Sequence, residues 1–341
     1  MHSAGGGIVV TVIDVFSLIF AGAPLWAWAI FAGLVFGLVA FDLGILHRSA
    51  REIGVRDSLM LSAVYVALAL LFGAAVWWGK GASAGTDWLT AYAVEKALAM
   101  DNVFVIAMIF AAFAVPRLHQ HRVLFWGILG VVVLRAILIA LGTTIVAEFA
   151  WMLLVFAVLL LVTGIKMLLV DDEGGGFVER RLLGLLRRVI PVADGDHGPR
   201  FLVRSPDPAS GRTRLMATPL LLALVAIELA DVIFAVDSVP AVFAITTDPF
   251  VVYTSNIFAV LGLRALYFAL AAMLHRFRRL KTALALILVF IGAKVIAAET
   301  FGFHVVPAPA SLAVTLGLLA GGILWSLWTT RAETTPRPDA R

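Results

Sequence analysis

The sequence predicts an all-α polytopic membrane protein of about nine transmembrane helices, six of which form two inverted three-helix repeats. Three observations predict it. The 341 residues are 62% hydrophobic and 14% charged, with a mean hydropathy of +1.02, whereas soluble domains are nearer half apolar and a quarter charged. Several apolar runs exceed the ~18 residues that suggest a membrane span. Basic residues fall in alternate loops between those runs.

The N-terminal "MHSAGGG" lacks the basic stretch of a cleaved signal peptide. Residues 8–20, "IVVTVIDVFSLIF", are short for a span and contain Asp14. They read as a partial or interfacial helix within an N-terminal segment, residues 1–24. The transmembrane domain covers 25–330. Its nine helices lie near 25–46, 57–79, 88–112, 121–143, 149–170, 215–246, 251–274, 281–299 and 311–330. The sixth is too long for one straight span and contains Pro240.

Orientation follows from Lys and Arg, which accumulate in cytoplasmic loops. Arg48, Arg51 and Arg56 follow span one, and Arg117 and Arg122 follow span three. The loop after span five has eight Arg. Arg276, Arg278, Arg279 and Lys281 follow span seven, and Arg331, Arg337 and Arg341 follow span nine. The alternate loops offer only Lys80. The expectation is a multi-pass membrane protein, N-terminus outside and C-terminus cytoplasmic. The +4 formal charge then reflects topology and anionic lipid, without a nucleic-acid partner.

Residues 171–214 form the long polar loop. "FVERRLLGLLRRVIPV" sets apolar residues at helical spacing against Arg180, Arg181, Arg187 and Arg188, the pattern of a basic amphipathic helix on the inner leaflet. "ADGDHGPR" reads as a solvated turn, and the tail 331–341 as disordered.

Two halves of the chain resemble each other. "VVVLRAILIAL" (131–141) is similar to "AVLGLRALYFAL" (259–270), "VTGIKMLL" (162–169) to "FIGAKVIA" (290–297), and "EKALAMDNVFVI" (95–106) to "DVIFAVDSVPAV" (231–242). Glu95 then matches Asp231, Asp101 matches Asp237, Arg135 matches Arg264 and Lys166 matches Lys294. The repeats span about 88–170 and 215–299, three crossings each. An odd number of crossings inverts the second copy, as in many secondary transporters, whose substrate binds near the midplane where the copies meet.

Five carboxylates fall inside these spans: Glu95, Asp101, Glu228, Asp231 and Asp237. A charge at the bilayer centre costs roughly 2.5–3.5 kcal/mol on insertion scales, so the acids are expected to face one another, a cation or water. Glu228 and Asp231, three residues apart, share a helix face. Pro240 lacks the N–H that would bond the carbonyl of Val236. A break there would turn Asp237 and free carbonyl oxygen toward the site. Oxygen ligands without thiolate point to Mg²⁺, Ca²⁺ or Mn²⁺ as transported substrate, with no tightly bound cofactor. Asn102 and Ser238, each following an Asp, are auxiliary oxygen donors; Met100 offers a soft thioether that would favour Mn²⁺. The competing reading is a salt-bridge network with Lys96, Arg135, Lys166, Arg264 and Lys294. Those bases would balance charge and brace the repeat interface, pairing with the acids when no cation is held.

"FDLGILHR" (41–48), "EKALAMDNVFV" (95–105), "HRVLFWGILG" (121–130), "DVIFAVDSVPAVFAIT" (231–246) and "TSNIFAVLGLRALYF" (254–268) resemble the TerC/Alx family of integral membrane proteins over about 25–330. The resemblance implies an inner-membrane Mn²⁺ exporter whose transport site is Glu95, Asp101, Glu228, Asp231 and Asp237. Asp42 in "FDLG" matches a family acid and implies an entry or structural role. "AMDN" departs from the small residue common before the span-three acid, which bears on metal preference.

The functional expectation is a secondary transporter exporting a divalent cation, Mn²⁺ first, by alternating access and coupled to proton return. The alternatives are a membrane scaffold or assembly factor with structural acid–base pairs, and an exporter of another ion such as Ca²⁺. An enzyme is not expected, since the sequence has no Walker loop, cysteine nucleophile or catalytic triad.

Overall fold

A computed structural model describes residues 18–48, 55–169, 190–193, 197–206, 213–271, 280–301 and 306–334. The chain is a helical membrane protein. Its helices are α1 (Leu25–Arg48), α2 (Val55–Lys80), α3 (Ala82–Ala112), α4 (Arg117–Glu148), α5 (Met152–Leu169), α6 (Pro219–Phe243), α7 (Pro249–Leu261), α8 (Leu263–Ala271), α9 (Leu280–Phe301) and α10 (Ala308–Thr334). Among the described residues seven segments are long and apolar enough to cross a membrane, with α7 and α8 together forming one of them. The apolar part of α1 is shorter, Leu25–Phe41. In α3, Asp87, Glu95, Lys96 and Asp101 interrupt the apolar run.

Several boundaries differ from the sequence expectation. Residues 19–24 form a two-stranded turn, β1 (Ile19–Phe20) against β2 (Ala23–Pro24), where a partial helix was expected; residues 1–17 lie outside the described residues. The sixth span begins at Pro219 because residues 213–217 are strand β4 (Thr213–Ala217), antiparallel to β3 (Leu202–Pro206). Pro219 has no N–H to offer either ladder or helix and fits a helix start. The basic amphipathic segment falls almost entirely outside the described residues, as do Asp194 and Asp196. The disordered-tail expectation is corrected at its start, since α10 runs on to Thr334.

Pro240 does not break α6. The helix continues through it to Phe243, and the Ala244 N–H reaches the Pro240 carbonyl at 2.9 Å. The ring and the missing N–H act one turn back, at the Val236 carbonyl, and the helix loses that one bond without ending. The seventh span is interrupted instead, at Gly262 between α7 and α8.

Helix α3 runs through the middle of the bundle and packs on α2, α6, α7, α8 and α10. Its buried Trp88 stacks on Tyr92 at 5.4 Å and donates to the Thr254 hydroxyl at 2.8 Å. Gly73 makes room for it: a Cβ there would stand 2.6 Å from the indole. Helix α7 is the most enclosed segment, and with α8 its spanning window is 94% buried. Thr254, Ser255 and Asn256 satisfy their polar groups on α7's own backbone, donating to Phe250, Val251 and Val252 carbonyls.

Helices α5 and α9 make the closest crossing. A Cβ on Gly164 would meet the Ala285 carbonyl oxygen at 2.8 Å, and one on Gly292 the Ala157 carbonyl oxygen at 2.6 Å. Residue 157 thus faces 292 while 164 faces 285, so the helices run antiparallel. Gly164 and Gly292 are 128 residues apart, and so are Ala157 and Ala285, so the two contacts are reciprocal under that offset.

One end of the bundle is tied by three chain segments. Lys80, ending α2, pairs with Asp248 at 2.7 Å and donates to the Gly22 carbonyl. Asp248 caps α7 by accepting from Phe250 N at 3.0 Å and Val251 N at 3.4 Å. Asp248→Ala is expected to cost about 0.5–2 kcal/mol through the lost cap. Lys80→Met should cost about 0–1 kcal/mol, as a half-exposed pair does. Thermal midpoints of the two variants in detergent check the order; a larger loss for Lys80→Met would refute it.

Candidate functional site

The site is built where α3, α4, α5 and α6 meet. Glu95 comes from α3, Arg135 from α4 and Asp231 from α6, and all three are buried. Arg135 is 1% exposed, which a guanidinium tolerates only when its donors are matched. Its Nη2 donates to Asp231 Oδ1 at 3.0 Å and its Nε to Oδ2 at 3.4 Å. Its Nη1 pairs with Glu95 Oε1 and donates to Asn256 Oδ1 at 3.4 Å. The planar fork of arginine can reach two acids and an amide at once; the point charge of lysine cannot.

Asp237 stands six residues further along α6. It accepts from the Thr163 hydroxyl of α5 at 3.1 Å. A cavity of about 280 Å³ opens beside it, lined by Asn102 of α3, Arg135, Thr163 and Lys166 of α5, Asp237, Ser238 and Lys281, with Leu98, Met167, Phe234 and Leu288 as its apolar wall. The Ser238 hydroxyl is buried with no hydrogen-bond partner among the described residues. Ser238 and Asn102, matched positions of the two sequence halves, both line this cavity. A smaller cavity of about 20 Å³ lies next to it, shares Asn102 and Phe234, and is lined by Asp231.

Glu228 points elsewhere. Its carboxylate packs into a notch on α4 left by Gly130, where a Cβ would collide with it. Its Oε2 is buried and lacks a hydrogen-bond partner among the described residues.

The expected convergence of five acids is therefore corrected. The described ones divide among three places: Glu95 and Asp231 on Arg135, Asp237 on the larger cavity, Glu228 in the Gly130 notch. Among the described residues no three His, Asp or Glu could together hold a metal ion. The division has a physical reason. Six residues rotate a helix by roughly 240°, and α6 stays helical at Pro240, so Asp231 and Asp237 take different faces. The side chain of Asp101 lies outside the described residues, as do those of Asp42 and Arg264.

The bases also divide. Lys166 shares the cavity with Asp237. Lys294 donates to the Ser311 hydroxyl at 3.2 Å, and Lys96 to the Ala259 carbonyl at 3.0 Å. Met100 is half-buried against the apolar core. Sequence reasoning missed Thr163, Gly130 and Lys281. Thr163 precedes Gly164 by one residue and Lys166 by three. That spacing is the signal, since residues three apart share a helix face.

Comparison with known proteins gives a consistent result. The family described as integral membrane protein TerC family matches residues 80–334. The chain is 44% identical over 313 residues to the uncharacterized membrane protein STKORF319 of Myxococcus xanthus, covering 92% of this chain and 95% of that one. It is 43% identical over 316 residues to the "Putative membrane-bound redox modulator Alx" of Escherichia coli strain K12, covering 90% and 95%. An uncharacterized membrane protein of Rickettsia bellii is 40% identical over 303 residues, covering 88% and 97%. No solved structure matches the chain.

Proposed function

We propose, given that this chain belongs to the TerC family of integral membrane proteins, that it exports a divalent cation, Mn²⁺ first, by alternating access. The observation that carries the proposal is the cavity at Asp237. It offers a carboxylate, an amide oxygen and two hydroxyls within a membrane-spanning bundle, the hard-oxygen set that Mg²⁺, Ca²⁺ and Mn²⁺ take. Polar groups inside a span mark substrate pathways more often than idle positions.

The inverted-repeat reading supports a two-sided site. The reciprocal crossing of α5 and α9 keeps a constant separation of 128 residues, as a two-fold axis in the membrane plane requires. Helix pairs come in matched sets as well: α3 packs on α7 as α6 packs on α4. The cavity lies between the two halves. Lys166 competes with an entering cation for Asp237. Arg135 competes for Glu95 and Asp231, so rearrangement of that trio accompanies passage of the ion. The loop charges favour a plasma-membrane orientation with the N-terminus outside.

The Escherichia coli relative's name refers to redox modulation. This chain has no cysteine, so thiol–disulfide exchange is not its route to such an effect; control of a redox-active cation is compatible with one.

Asp237→Asn is expected to insert normally and abolish export, raising cellular Mn to the level of cells without the protein. Thr163→Val should weaken the apparent metal affinity by about 10–100-fold, as loss of an orienting partner does. Cellular metal content and vesicle flux read both. The buried Arg135 trio favours a second reading, a scaffold with structural ion pairs. On that reading Asp237→Asn leaves metal content unchanged, and this result would sink the exporter.

A further inference from the structure

Lys96 is a charge that the proposed transport site does not use. Among the described residues none of the ion pairs includes it. Its Nζ donates to the carbonyl of Ala259 at 3.0 Å. Ala259 lies in the last turn of α7, which ends at Leu261; Gly262 closes it and α8 begins at Leu263. The last four carbonyls of a helix have no intrahelical amide partner. Together they carry roughly half a negative charge. Gly262 leaves the space that the ammonium fills: a Cβ there would stand 2.9 Å from Lys96 Nζ and 3.2 Å from Tyr65 Cβ.

A helix broken inside a transporter commonly presents its C-terminal carbonyls to a small monovalent cation such as Na⁺. Here the same features, a break, a helix-end carbonyl oxygen and a side-chain-free residue, surround a fixed ammonium in a part-buried setting. We propose that the α7–α8 break is a monovalent-cation site permanently occupied by the protein's own Lys96. The tethered cation makes folding and transport independent of Na⁺. Replacing it with a small neutral residue opens the site to Na⁺ or to an alkylammonium ion. The transport part of this inference rests on the exporter reading, whereas the binding part stands without it.

The test uses the full chain in detergent, with thermal midpoints measured in choline chloride, sodium chloride and methylammonium chloride at equal ionic strength. Wild type is expected to give one midpoint in all three. Lys96→Ala should be lower in choline and rise saturably, by about 2 °C or more, with sodium or methylammonium. A Lys96→Ala midpoint identical in all three salts, or a wild-type midpoint raised by sodium, overturns the proposal. Gly262→Ala, which places a Cβ against the ammonium, should lower the wild-type midpoint. It serves as the second variant where Lys96→Ala does not yield folded protein, and no loss would again overturn the proposal. Flux is read separately. Wild-type Mn²⁺ flux should ignore sodium, and Lys96→Ala flux should require sodium or methylammonium. Absence of any wild-type flux would remove the exporter reading and leave the salt dependence of the midpoints standing.

Discussion

Arg135→Met is expected to destabilise the protein by about 3–5 kcal/mol, the range for removing one partner of a buried ion pair. The side chain is 1% exposed, and two carboxylates from two other helices converge on it. Without the guanidinium, Glu95 and Asp231 repel each other, and among the described residues no other base pairs with either. The triple variant Arg135→Met with Glu95→Gln and Asp231→Asn should recover most of the loss, because each neutral amide then requires only hydrogen bonds. Arg135→Lys should fall between, holding one acid and releasing the other. Thermal unfolding in detergent orders the four proteins. Wild-type stability in Arg135→Met would mean that the acids have another partner.

Gly164→Ala and Gly292→Ala are each expected to cost about 1–3 kcal/mol, as overpacking does. The atoms that the new methyl groups would strike, the carbonyl oxygens of Ala285 and Ala157, belong to backbone and cannot rotate aside. The helices must separate, and the approach that small residues allow between membrane helices is lost. Both glycines lie on one crossing, so the double variant should cost less than the two losses combined. Gly33→Ala and Gly317→Ala serve as controls. Nothing lies within 4 Å of a Cβ at either position, and replacing a helical glycine there should be neutral or mildly stabilising. Equal losses at all four positions would show that the crossing is not what makes Gly164 and Gly292 sensitive.

Much of this architecture is legible in the residues. Helix positions follow from apolar length, and the offset of 128 found from "VTGIK" and "FIGAK" recurs in the α5–α9 crossing. The possibility that bases tie up intramembrane acids was also readable, and Arg135 does so for two of them. What could not be read was which acids pair. That depends on the azimuth of each residue about its helix and on which helix faces it, and Glu95, Asp231 and Arg135 are far apart in sequence. The hairpin of β3 and β4 was hidden for another reason. "LVRSP" and "TRLMA" are short and carry mixed polarity, so their cross-strand pairing decides the structure and no periodicity announces it. Pro240 misled because a proline removes a single helical bond, to the Val236 carbonyl, and α6 stays continuous without it.

The enclosure of α7 has a consequence for how the protein is made. Its window with α8 is the least hydropathic of the seven, at 1.4, and α1 to α4 surround it. Lipid alone is a poor host for such a segment as it leaves the ribosome. Its walls are synthesised first, however, because every helix of that ring precedes it in the chain. Biogenesis can therefore run in one direction, with the early helices forming a protein-lined berth into which the late, more polar one is handed. Moving the α7 segment ahead of α2 by circular permutation would deny it that berth, and the translocon would be expected to pass it through instead of releasing it sideways.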